Sequence, residues 1–146
     1  MASVHSGSTA RGETRIIGTQ HEPGSGPGPE IMAADTLEGD DVVNHQGEDL
    51  GMIKEIMIDV AAGRVAYAVL ASGGFLGIGD KYFAIPWSAL TLDADNKRFV
   101  LDVDKEQLKN APGFDKDHWP TMADPAWATE VHRYYGQPTY WSPPEL

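Results

Sequence analysis

Gly63-Arg64-Val65-Ala66-Tyr67-Ala68-Val69-Leu70-Ala71 is apolar on both of its alternating faces, and its reading decides the fold. In an extended strand Val65, Tyr67 and Val69 fall on one side, and Ala66, Ala68 and Leu70 on the other. A strand buried on both sides needs a cover on each. The small alanines suit close approach by a helix or by a second copy of the chain. Upstream, Ala61-Ala62-Gly63 closes a tight connection from a strand over residues 52–60. Its Ile53, Ile56 and Ile58 read as core residues, but strict alternation puts Ile53 on the opposite face. A bulge at Lys54-Glu55 brings the three together. Working outward, Asp41–Val43 predicts a short first strand, and residues 81–85 predict a strand that Pro86 ends. Residues 91–93 and 98–103 flank a turn at 94–97. Short strands separated by Gly, Asn and Asp turns predict a mainly β fold, a small antiparallel barrel.

The flanks read differently. Residues 1–33 form a Gly/Pro/Ser-rich tail in which Pro-Gly-Ser-Gly-Pro-Gly-Pro, residues 23–29, suits neither a helix nor a central strand. A flexible tail is expected there, then a domain over 34–110 and a C-terminal extension over 111–146. Asp104 followed by Gln107 predicts a capped helix that fails near Asn110. Asp124-Pro125 is a stronger start, an acid at the cap and proline in the first turn, with Gly136 as the stop. The helix expected near 124–135 would carry Trp127, Val131 and Tyr134 as one apolar stripe. Packed on the barrel, over its alanine face, that stripe would contribute on the order of 5 kcal/mol before entropy.

Composition limits the function. The net charge of −11 is spread along the chain, and no segment is basic. This acidic protein gains nothing from the counterion release that drives nucleic-acid binding, and it lacks the Lys/Arg clusters that dock on anionic membranes. With no cysteine, disulfides, thiolate metal sites and cysteine nucleophiles are excluded. The longest apolar run, 65–71, is far short of the ~20 residues that cross a bilayer. The first residues lack the apolar core of a secretory signal. No transmembrane segment and a cytoplasmic location are the expectations.

Motifs for chemistry come close and fail. In Gly73-Gly74-Phe75-Leu76-Gly77-Ile78-Gly79-Asp80-Lys81, Asp80 stands where a phosphate loop needs lysine, and Gly77-Ile78-Gly79 has no third glycine. Asp93-Ala94-Asp95-Asn96 begins like a calcium loop, but Lys97 and Arg98 follow where an oxygen ligand and a glycine belong. His5, His21, His45, His118 and His132 include no pair at helical metal spacing. Ser72 and Ser88 lack a nucleophile-elbow context. No catalytic residue, metal site or cofactor is assigned. Aromatic residues gather near the C-terminus: Trp119, Trp127, Tyr134, Tyr135, Tyr140 and Trp141.

Three features in order carry a resemblance. They are Gly47-Glu48-Asp49-Leu50-Gly51 before an Ile-rich strand ending in Asp59, then Gly63-Arg64-Val65, then the Gly-rich loop running into Ile85-Pro86-Trp87. With residues 98–108 these features resemble the PRC-barrel family over roughly residues 34–110. The closest likeness is to stand-alone bacterial members. The family includes the cytoplasmic domain of the photosynthetic reaction-centre H subunit and the C-terminal domain of the ribosome-maturation factor RimM. The resemblance implies a small β-barrel acting in protein contact and assembly, with no catalytic residues to carry over. The expected function is therefore a non-enzymatic interaction module with a protein partner, a homodimer being one arrangement and nucleic acid excluded. Phe75, Leu76, Ile78, Tyr82, Trp87, Tyr140 and Trp141 are the candidate partner or ligand contacts. Two alternatives are a small-molecule-binding barrel, with Phe75, Tyr82 and Trp87 lining a pocket, and an accessory factor of a membrane-associated photosynthetic complex.

Overall fold

The computed structural model describes residues 12–18, 26–72 and 81–141. Strands β1 (Arg15–Ile17), β2 (Asp41–Val43), β3 (Asp49–Asp59), β4 (Arg64–Ala71), β5 (Lys81–Pro86), β6 (Leu90–Asp93), β7 (Arg98–Leu101) and β8 (Phe114–Asp115) form one sheet. Helix α1 (Ala34–Leu37) precedes β2, α2 (Lys105–Lys109) follows β7, and α3 (Pro125–Tyr134) follows β8. The spatial order is β1-β6-β7-β2-β3-β4-β5-β8. The expected mainly β fold is present, and the expectation of an antiparallel arrangement holds only in part. The sheet is mixed, because β1 pairs with β6 and β2 with β7 in parallel. The ladder is also open, with β1 and β8 as its end strands.

One face of the sheet nevertheless packs on itself. Val42, Leu50, Ile53, Leu70, Phe83, Ile85, Leu90, Phe99 and Leu101 share a single buried cluster with Leu108 of α2. Strands from β2 through β7 reach one another's side chains only if the sheet curls strongly. The β3–β4 hairpin is its longest element. Asp59 closes the turn by accepting from Ala62 N–H at 3.1 Å, and Gly63 takes φ +71°. The ladder pairs Ile53 with Leu70 and Glu55 with Val69, so Lys54 is the inserted residue of a bulge. Ile53 and Ile56 consequently turn to the core together. Ile58 does not join them; it is 53% exposed, beyond a second register shift that leaves Ala66 without a partner across the strand.

That second shift also changes the faces of β4. Ala68 and Leu70 enter the main core, while Ala66 and Tyr67 lie with Ala84, Ala128 and Val131 in a separate outer cluster. Helix α3 covers this outer side, over Ala66 and Tyr67, whereas Ala68 and Leu70 of the expected alanine face turn to the main core. Asp124 caps α3 through Ala126 N–H at 3.1 Å, Pro125 opens it, and Gly136 at φ +70° follows it. The buried residues of the helix are Ala128, Val131 and His132. Tyr134, expected in the stripe, is exposed and hydrogen-bonds to the Gln107 carbonyl. α2 has the full capping box, with Asp104 and Gln107 exchanging bonds of 2.7 and 2.8 Å.

The N-terminal stretch holds a further correction. Residues 15–17, placed in a flexible tail by composition, form β1 and add a strand to the β6 edge. Three residues are too few to show a period, and the pairing depends on β6, far along the chain.

Candidate functional site

The outer face of β4 carries a group of rings built from both ends of the fold. Tyr67 has Trp127 at 5.4 Å, His132 at 5.5 Å and Tyr140 at 6.2 Å, all edge-on. Trp141 stacks edge-on against His132 at 5.7 Å and Tyr140 at 5.2 Å. The segment after α3 is clasped to the β3–β4 hairpin. The Tyr140 hydroxyl donates to Asp59 at 2.8 Å, while the Arg64 guanidinium sits 4.8 Å from the Tyr140 ring centre and donates to the Tyr140 carbonyl.

The charges follow from this geometry. The Tyr140 hydroxyl, then the Ala62 amide and Arg64, hold the Asp59 carboxyl below the usual carboxylate range. Burial, followed by the Asp59 contact, pushes Tyr140 up to about 12. Burial raises Tyr67 as well, and its hydroxyl finds no partner among the described residues. His132 is buried; its Nδ1–H donates to the Ala128 carbonyl at 2.7 Å, which fixes the tautomer, and its Nε2 finds no partner among the described residues. Burial therefore holds the imidazole below its ordinary value, with the Ala128 bond partly opposing. His118 is different: it is an exposed residue that meets one carboxylate, Asp115, at 3.0 Å. Among the described residues no three His, Asp or Glu side chains are close enough to share a metal ion. The Asp93 carboxylate accepts from Asn96 at 2.8 Å and Arg98 at 3.3 Å, so it closes the β6–β7 hairpin.

The sequence-predicted contacts are dispersed by the fold. Phe75, Leu76 and Ile78 lie outside the described residues. Tyr82 joins Phe114 at 6.0 Å and Trp119 at 6.1 Å on the β5–β8 edge. Trp87 packs on the main core with its ring 5.7 Å from Phe99. Tyr82 and Trp87 thus belong to separate ring groups. Tyr140 and Trp141 do come together, in the clasp. Beside it stand Val60, 88% exposed at the hairpin tip, and Trp141, 46% exposed. Sequence reasoning missed Asp59, Val60, Arg64 and Tyr67 as members of this surface. A single large ring between Ala66 and Ala68 was the available signal, since a phenol among small residues needs a partner surface of its own.

The family can now be stated. The chain belongs to the PRC-barrel domain family, whose model matches residues 29–108. No curated protein matches the chain. A solved structure of a RimM-type 16S ribosomal RNA processing protein from Pseudomonas aeruginosa is 19% identical over 51% of this chain, with a TM-score of 0.36. The match covers 45% of that protein, so this chain spans less than half of it. β1 precedes the family segment, and β8, α3 and the clasp residues Tyr140 and Trp141 follow it. Among the described residues no helix is long and apolar enough to cross a membrane.

Proposed function

We propose that this chain is a protein-interaction or assembly module without chemistry of its own, its curled sheet forming the family's barrel. The exposed apolar residues Val60 and Trp141 beside the Asp59–Tyr140 clasp carry the reading. Exposed apolar groups beside rigid rings are what partner proteins bury. The core behind them is closed packing: Tyr67, Phe83, Phe99, Leu50, Ile53 and Leu70 are all fully buried. The charge of −11 favours a partner with basic groups around an apolar acceptor, and disfavours nucleic acid. α3 already covers the outer face of β4, so that face does not call for a homodimer.

A photoreactive amino acid placed at Val60, at Trp141 and, as a control, at Thr129 tests the proposal in native lysate. One protein crosslinked from the first two positions and not from the third is the expected outcome. Equal background at all three removes the reading. A second reading, a small apolar ligand, is favoured by a cleft of about 680 Å³ that includes Ile16, Met32, Ile56, Trp87 and Leu92. Saturable quenching of Trp87 by an apolar dye, lost in Trp87→Phe, distinguishes it.

A further inference from the structure

The β6 edge is filled by a strand that fits it closely but is short. Thr14 donates its hydroxyl to the Trp87 carbonyl, Ile16 packs half-buried on the main core, and the Ile17 carbonyl accepts from Ala94 N–H at 2.9 Å. Gly18 follows at φ +82°, where a Cβ would lie 2.8 Å from the Asp95 backbone nitrogen and 2.9 Å from its carboxyl group. Thr14, Ile16 and Gly18 are thus each matched to a feature of this edge. Yet the pairing is only three residues long, and Ile17 is exposed. Two clefts, of about 460 and 680 Å³, lie beneath the same N-terminal stretch. One runs between Gly18, Pro29 and Met32 and the body at Leu37, Leu92 and Asp95; the other between Thr14 and Ile16 and the body at Ile56 and Leu92. A short strand over open clefts is the kind of element that opens far below the global unfolding free energy.

We propose that the β6 edge is a strand-docking site whose partner is residues 14–18 of a second copy of this chain, so that two copies pair by exchanging β1. The occupant follows from the fit. The edge already accommodates this segment, every copy carries it, and the exchanged pair repeats each contact of the unexchanged one. Eight residues, 18–25, lead from β1 to the stretch at 26–33 that packs on the main core through Met32, enough for a reach of about 26 Å when extended. A tether of that kind gives the chain's own β1 an effective concentration of about a millimolar, so exchange grows with protein concentration. The pairing lies on the β6 edge, while Gly12, just before the exchanged segment, packs on Tyr140 and Arg64 of the clasp, so the exchange carries that contact with it.

The absence of cysteine makes a direct test available. Arg15 and Thr91 are paired across β1 and β6, so Arg15→Cys and Thr91→Cys place thiols within disulfide reach. The doubly substituted chain should close an intrachain disulfide; failure to do so overturns the proposal. The two single variants, one isotopically heavy, are then mixed at rising concentration in a redox buffer and read by intact mass. Exchange predicts that the mixed disulfide exceeds each same-variant disulfide at least about fivefold, and that Ile16→Asp abolishes the excess. A ratio that stays at the statistical value of about two across the concentration series overturns it.

Discussion

Gly51→Ala is the substitution whose effect the geometry constrains most tightly. Gly51 sits in β3 at φ +135°, and a Cβ there would stand 2.2 Å from the Ala71 carbonyl oxygen and 3.2 Å from the Ser72 Cα. Both obstacles are backbone, and β3 with β4 is the longest pairing in the sheet, so no flexible side chain can yield. Backbone strain at such a φ costs about 1–3 kcal/mol, and forced separation of packed elements about 1–3 more. Together they give about 4 kcal/mol, a large share of a typical domain's stability. At an m-value of about 2 kcal/mol/M the urea midpoint should fall by about 2 M. Gly47→Ala supplies the control. Its φ is +81°, but nothing lies within 4 Å of the added Cβ, so it should lose only the ~1–2 kcal/mol of left-handed strain. Equal midpoints for the two variants would falsify the close approach of β3 to Ala71, and with it the hairpin register.

Three further outcomes follow from the outer face. Val131→Ala should cost about 2 kcal/mol and raise hydrogen exchange in α3 while β3 and β4 stay protected, which mass spectrometry of the exchanged protein reads. Tyr67→Phe removes a buried hydroxyl that finds no partner among the described residues, so it should leave stability unchanged or raise it by about 1 kcal/mol, read as a Tm no lower than that of the parent chain. His132 binds its proton more weakly folded than unfolded, so the stability it supports is complete above the ordinary histidine pKa of about 6.5 and falls as pH drops through it. In melts from pH 8 to 5.5 the Tm of the parent chain should therefore fall relative to His132→Gln; parallel curves would show that the imidazole is not desolvated.

The fold was legible where neighbours in sequence determine it. Arg64–Ala71 stands as a strand with the bounds its apolar run implied, and the conflict between Ile53 and Ile56 located the bulge at Lys54. Asp104 with Gln107, and Asp124 with Pro125, announced α2 and α3 because capping is local chemistry. The missed features are long-range. β1 exists only because Thr91–Asp93 offers it an edge, and Ile58 is exposed because of a register shift two residues from the hairpin turn. Tyr140 belongs to the site through Asp59, 81 residues away, a contact that no pattern in the C-terminal segment encodes. Gly47 and Gly51 were read as a motif, while the reason for Gly51, the carbonyl of Ala71, lay in another strand.

The two end strands of the ladder, β1 and β8, both fall outside residues 29–108. A fragment cut at the family's borders would therefore leave β5 and β6 as bare rims, with rows of amides and carbonyls open to any passing chain. Homology marks out a unit of descent here, whereas the paired sheet is wider at both margins. Anyone expressing this domain should begin before Gly12 and end after Trp141.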